Sequence, residues 1–220
     1  MKNIFAKIFT GFIFLLIVFT FSCSRSEPQI TFGFIELVYY QDKDNPRERF
    51  SFFIIPEDED GIENLADLYL YHDYEQLCWR ISSKDWVVQE HEGKTWVGTR
   101  SIAIDEGETL PRGQFRAVLL NKGGEKSERN FSFDAPEDPR FPFPSLVIND
   151  GRYTISSSYP VNRLVCYDEG GAYVQTVNIA ALSGAVESLN LSSKTRSAAL
   201  WAEDAQYFTS AFTDVVPVRK

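Results

Sequence analysis

Two histidines occur in 220 residues, so imidazole chemistry must be built around His72 or His91. His91-Glu92-Gly93-Lys94-Thr95 begins like the H-E-x-x-H zinc signature. No second histidine follows one turn later, and that site needs two imidazoles on one face. His72 ends the aromatic run LYLYHD, where it is expected to cap a turn. The run Glu57-Asp58-Glu59-Asp60-Gly61 gathers carboxylates before a glycine, as calcium loops do. Its register fails, because Pro56 takes the first ligand position and Asp67 stands one place late for the closing bidentate carboxylate. A solvated loop is the reading, with weak calcium binding, aided by Asp42 and Asp44, as the alternative. No G-x-S-x-G elbow, phosphate loop or dinucleotide fingerprint is present. The expectation is a non-catalytic chain with no cofactor and no metal; an enzyme using chemistry without local motifs is the minor alternative.

The residue whose surroundings are most specific is Cys23. Lys2 and Lys7 form a basic start, and Ile8 to Phe21 is apolar except for Thr10, Gly11 and Thr20. This is the layout of a secretory signal, too short for a comfortable membrane span of about 20 residues. It ends Thr20-Phe21-Ser22-Cys23 and turns polar at once in SRSEPQ. That ending resembles the lipobox of bacterial lipoproteins, with Thr20 where leucine is usual, a relaxation tolerated in spirochaetes. The resemblance implies cleavage before Cys23 and a diacylglycerol on its thiol. Two or more acyl chains make a stable anchor, since each buried CH2 yields about 0.8 kcal/mol. The expected address is therefore the bacterial cell envelope, outer membrane before inner, with the face undecided. An uncleaved anchor, or a secreted chain with a chance cysteine, is the alternative.

Residues 1–22 hold two of the 22 Lys and Arg and none of the 31 Asp and Glu, so the processed chain would keep 20 against 31, a formal charge of −11. Such a surface repels nucleic acid and anionic headgroups. The partners expected are a membrane, through the lipid on Cys23, and an unidentified protein. Cys78 and Cys166 sit in the apolar runs QLCWRI and RLVCYDE, where small buried hydrophobes are expected; a disulfide between them is the alternative.

The elements that must position these residues read as strands. ITFGFIELVYYQ, ERFSFFIIP, DLYLYHD, QLCWRISS, KTWVGTRSIAI, GQFRAVLLN and RNFSFDA follow one another with polar punctuation, and Phe50, Phe52 and Ile54 alternate. That spacing predicts an all-β chain of small antiparallel β-sandwiches. Leu110-Pro111-x-Gly113-x-Phe115, followed by a hairpin turning at NKGGEKS, resembles the last two strands of immunoglobulin-like and fibronectin type III domains. Trp79 then stands as an inner aromatic, and Phe115 replaces the usual tyrosine of a tyrosine corner.

DAPEDPRFPFPS at 134–145 carries four prolines and reads as a semi-rigid linker. Beyond it, RLVCYDEGG answers QLCWRIS, and TRSAALWAEDAQYFTSAF answers QFRAVLLNKGGEKSERNFSF, which argues for two copies of one unit; chance likeness of short β sequences is the alternative. The division expected is signal 1–22, lipidated tether 23–29, an immunoglobulin-like sandwich over 30–135, linker 136–145 and a smaller sandwich over 146–220. GIENLADL and VNIAALSG are each long enough for one helical turn.

The function this implies is a lipid-anchored, non-catalytic envelope protein presenting immunoglobulin-like modules for protein binding or adhesion; the alternative is a periplasmic structural or assembly subunit. The binding surface is sought first in the charged loops 57–61, with Asp58 and Asp60, and 42–49, and at Trp86 and Trp96. Cys23→Ala should abolish incorporation of labelled fatty acid in the producing cell, and undiminished label would end the lipoprotein reading.

Overall fold

The computed structural model describes residues 26–42, 45–104 and 108–218; Cys23 and the leader lie outside them. The strands in chain order are β1 (Gln29–Asp42), β2 (Asn45–Glu57), β3 (Leu65–His72), β4 (Leu77–Ser82), β5 (Val87–His91), β6 (Lys94–Ile102), β7 (Gly113–Asn121) and β8 (Lys126–Phe133) in the first half. The second half carries β9 (Ser145–Asn149), β10 (Arg152–Ser156), β11 (Val161–Tyr167), β12 (Tyr173–Asn178), β13 (Ser183–Ala185), β14 (Ser197–Asp204), β15 (Thr209–Phe212) and β16 (Val216–Pro217). Two short 3-10 turns complete the described residues, at Ile62–Asn64 within the GIENLADL stretch and at Val186–Leu189. The turn contemplated in VNIAALSG is instead the end of β12, a bend and the start of β13.

In the first half β1-β2-β6-β5 faces β4-β3-β7-β8. With strands lettered A, B, C, C′, D, E, F and G in chain order, these are the A-B-E-D and C′-C-F-G sheets of an immunoglobulin-like sandwich. The second half repeats the plan, with β9-β10-β13 as A-B-E and β12-β11-β14-β15 as C′-C-F-G. The hairpins β7–β8 and β14–β15 thus hold corresponding places, as their sequences suggest. QLCWRIS and RLVCYDEGG do not: the first is β4, a C′ strand, and the second is β11, a C strand.

The two sandwiches are not strung as beads. β1 pairs antiparallel with β2 along one edge and parallel with β15 along the other, Leu37 opposite Thr209 and Tyr39 opposite Ala211. The A strand of the first unit and the G strand of the second therefore merge two sheets into one of nine strands. The register keeps side chains in phase, so Ile35, Leu37, Tyr39, Phe50, Phe52 and Ile54 share a face with Leu164, Cys166, Leu200, Ala202 and Ala211. One hydrophobic core runs under both halves. Phe50 meets Phe115 and Phe133 edge-on at 5.5 and 5.0 Å, and Phe52 meets Phe131 at 5.7 Å.

The proline-rich stretch is docked rather than free. Phe141 and Phe143 pack against the core, Phe141 lies 5.0 Å from Tyr159, and Arg140 donates to Asp204 at 2.8 Å. Arg112 stands in for the absent tyrosine corner. Its guanidinium pairs with the half-buried Glu48 at 2.9 Å and donates to the carbonyls of Leu110, Ala135 and Pro136, while Glu48 also accepts the Leu110 N–H. One charged pair thereby ties the entry to β7 to the exit from β8.

Gly98 shows how tightly β6 lies on β2. A Cβ there would meet the Phe52 carbonyl oxygen at 2.0 Å and the Phe53 Cα at 2.7 Å, backbone that cannot swing aside. Gly98→Ala should cost about 3 kcal/mol, read as a lowered urea midpoint. A midpoint equal to wild type would mean that β6 does not pair in this register.

Candidate functional site

The shared sheet has one face on the core and one without a covering sheet. On β1 the open face carries Phe34, Glu36, Val38 and Tyr40, the residues alternating with Ile35, Leu37 and Tyr39. Phe53 of β2 is fully buried there, beneath Phe34 stacked at 6.1 Å and the Arg100 guanidinium over its ring at 5.2 Å. Arg100 is held from β5 by Gln89, whose side-chain oxygen accepts at 2.6 Å.

This face closes on a cleft of about 570 Å³. Phe34 and Glu36 line it from β1, Gln89 and His91 from β5, Trp96 from β6, Arg163 from β11, and Trp201 and Glu203 from β14, with Asp204, Ala205 and Phe208 at the β14–β15 turn. β5 and β11 lie six places apart in the sheet order, a separation of roughly 29 Å were the sheet flat. Their meeting in one cleft shows that the sheet curls strongly, its open face inward. Aromatic side chains define the walls: Trp96 makes edge-to-face contacts with Phe32 and Phe34 at 5.8 and 5.4 Å, and Trp201 with Phe212 at 5.8 Å. A second hollow of about 410 Å³ continues past Phe34 and Phe208 to Phe131 and Phe133. Phe32 and Phe208 are more than half exposed at its rim.

The charges are uneven in their pairing. Arg163 is ion-paired with Glu203, and the buried Asp204 is held by Arg140 and by the Gln206 N–H. Glu36 has no ion-pair partner among the described residues, and it stands half-buried on the floor. Burial pushes its carboxyl up to about 7, partly relieved by the Ser210 hydroxyl, driven further by Glu203 and eased by Arg100 and Arg163. Tyr167 of β11 is pushed up by burial and by Cys166 and eased by the same Arg100, a second sign that β6 and β11 approach across the curl.

Of the residues sought from sequence, Trp96 lies in the cleft, half-buried, its indole N–H buried without an acceptor. Trp86 is half-buried too, but packs against the core. Asp58 is half-buried and spends its carboxylate on the Asp60 N–H and the Asn64 amide at 2.9 and 3.1 Å, which closes its own turn. Asp60 is exposed. Neither lines the cleft, and among the described residues no three metal-capable side chains gather. Of the described residues in the 42–49 stretch, Asp42 ends β1 and Asn45 to Arg49 belong to β2, with Arg49 over the Tyr40 ring at 3.7 Å and Glu48 paired with Arg112. His72 is buried; its Nδ1 accepts the Glu75 N–H at 3.3 Å and its Nε2 faces the Arg112 carbonyl at 2.9 Å, the turn-capping role. Cys166 is buried and free as expected. Cys78 is free but exposed, because on β4 it alternates with Leu77 and Trp79, which face inward.

Glu36, Arg163, Trp201 and Glu203 were not singled out from sequence. A signal existed: between Phe32 and Tyr40 the run ITFGFIELVYYQ is apolar on both faces except for Glu36, which marks a strand with apolar surface on either side and one carboxylate among it.

No family model and no curated protein matches the chain. Among solved structures it is similar to dimeric latent PorU from Porphyromonas gingivalis, at 12% identity and TM-score 0.35 over 88% of this chain and 20% of that one. It is similar also to the BSP domain of a biofilm associated protein, at 14% identity and TM-score 0.29 over 89% of this chain and 29% of that one. A third likeness is to Dpr11 IG1 bound to DIP-gamma IG+IG2, at 13% and TM-score 0.25 over 87% and 98%. The chain thus spans about a fifth of the PorU chain. Likenesses at this level leave the chain's own geometry as the ground for its function.

Unfolded, Glu36 releases its proton near 4.5, and folded, near 7. Between those values the folded state holds the extra proton, so stability falls as pH rises from about 4.5 to about 7 and then levels, by at most about 3 kcal/mol. Glu36→Gln should flatten that fall and leave the variant more stable than wild type at pH 8. Parallel urea midpoints for the two chains from pH 5 to pH 8 would show that Glu36 is not the buried acid.

Proposed function

We propose that this chain is a non-catalytic binding module of a bacterial cell envelope, held to a membrane by lipid on Cys23. Its two fused immunoglobulin-like sandwiches present the concave cleft to another protein. The observation that carries this reading is the uncovered inner face of the nine-stranded sheet, where Phe34, Trp96 and Trp201 line a cleft and Phe32 and Phe208 stand exposed at the rim of the adjoining hollow. Aromatic side chains held in a rigid frame supply large contact area at low entropic cost, and desolvated aromatic anchors dominate binding energies.

The lipid reading rests on the leader sequence. No helix of the described residues is long and apolar enough to cross a membrane, and the first described residues are fixed to the sandwich: the Asn121 amide donates to the Ser26 carbonyl at 3.0 Å, and Arg129 donates to the carbonyls of Ile30 and Thr31. A short tether would thus pass directly into a rigid strand, giving the cleft a set stand-off from the anchor.

A photoreactive phenylalanine at position 208 should crosslink a partner in cells producing the protein. The same residue at Tyr74, 88% exposed and outside the cleft, should not. Equal products from both positions, or none from 208, would sink the assignment of the cleft as the binding surface.

A further inference from the structure

Around the cleft the arginine cations are engaged, the Trp96 indole N–H is without an acceptor, and one carboxylate is left without a counter-ion. Arg163 is committed to Glu203, Arg140 to Asp204, and Arg100 to Gln89 and the Phe53 ring. Glu36 keeps a carboxylate with no ion-pair partner among the described residues, beneath aromatic walls. A neutral sugar would leave the charge of Glu36 uncompensated, and a phosphate would be repelled by Glu36 and Glu203. An ammonium or guanidinium brings donors and charge together, gaining charge-assisted hydrogen bonds from a carboxylate and attraction from ring faces.

The shape adds a second constraint. The cleft and the neighbouring hollow share Phe34 and Phe208, so the receptive surface is elongated and suits a length of chain better than a lone amine. The charge of the whole protein points the same way, since a formal −9 attracts basic partners and speeds their encounter.

We infer that the cleft receives a lysine or arginine side chain from an extended segment of a partner polypeptide, its charged head on Glu36 and its stem along Phe34, Trp96 and Trp201. This rests on the binding function proposed above and names the chemistry of its partner. On binding, the proton that Glu36 carries below about pH 7 is released to solvent, so affinity rises with pH. The groups facing Glu36 are Arg100 from β6, Arg163 from β11, Glu203 from β14 and Ser210 from β15, with His91 of β5 on the cleft wall. His91 is the other side chain on that wall which could bear on a cation, so His91→Asn is the control.

The test uses capped glycine-rich pentapeptides with lysine, arginine, norleucine or glutamate at the centre, titrated at physiological salt into the folded chain while the indole N–H resonances of Trp96 and Trp201 are followed. Saturable shifts are expected from the lysine and arginine peptides alone. Their affinity should rise from pH 6 to pH 8 in wild type and in His91→Asn. Glu36→Gln should bind them about tenfold more weakly with no such rise. Equal shifts from norleucine would show an apolar groove without charge recognition, undiminished binding by Glu36→Gln would remove the carboxylate from the account, and silence from every peptide would overturn the inference. The wild-type pH series needs no variant to fold. If crosslinks from position 208 persist while the peptides fail, the binding function stands and the cationic partner falls. If the peptides bind but no crosslink forms, the chemistry stands and the partner-binding surface lies elsewhere.

Discussion

Strand β1 uses both of its hydrogen-bonding edges, and the rest of the molecule follows from that. An immunoglobulin-like A strand ordinarily pairs with B and leaves its other edge to be managed by short length, charge or a cover. Here the other edge is occupied by β15 from the second unit, in parallel. The join converts two modest sheets into one of nine strands and places the inward side chains of both units on one face. Two units joined only through 136–145 would be free to hinge, and a surface built across them would have no fixed shape. Main-chain hydrogen bonds between β1 and β15 hold strands of one unit against strands of the other, and the docked Phe141 and the Arg140–Asp204 pair reinforce the join from the linker side.

The same pairing explains the electrostatics of the cleft. A strand in mid-sheet has neighbours on both sides, so Glu36 is flanked by β2 and β15 and overlooked by side chains from β6, β11 and β14 as the sheet curls. On an edge strand the same carboxylate would be hydrated and would titrate as an ordinary glutamate. Arg163 and Glu203 reach it from the second unit, and Arg100 from the first. Neither sandwich alone contains this arrangement, and it comes into being only where they meet.

Much of the architecture was legible in local pattern, because sandwiches announce themselves through period-two alternation and turn residues. Phe50, Phe52 and Ile54 point where their spacing says, and Gly113-to-Asn121 returns through Lys126-to-Phe133 as a hairpin. What pattern could not show was β1 against β15, a parallel contact between distant segments with no turn to mark it. The cleft shared that fate, since it is assembled from five strands drawn from both ends of the chain. Trp96 was reached through residue type alone, as an aromatic on a strand rich in polar neighbours. Trp86 met the same criterion and the 57–61 acids stood out by charge, yet Trp86 packs on the core and Asp58 closes its own turn. Type and local charge give candidates, and only the tertiary register separates them. Arg112 is instructive in the opposite sense: the missing tyrosine was visible in Phe115, but its replacement depended on Glu48, far away in sequence.

The parallel join also sets an order of events. β1 is made early and β15 late, with every other strand but β16 between them, so the first unit can close its own sandwich while the outer edge of β1 still waits for its neighbour. During that interval a row of unpaired backbone groups is flanked by Phe34, Val38 and Tyr40, an adhesive edge of the kind that recruits other chains. Closing so long a loop is slow for entropic reasons. Loss of the last strands by proteolysis would re-expose that edge. A protein with this topology is most prone to self-association before its second half has arrived or after that half has been clipped away, and least so when whole.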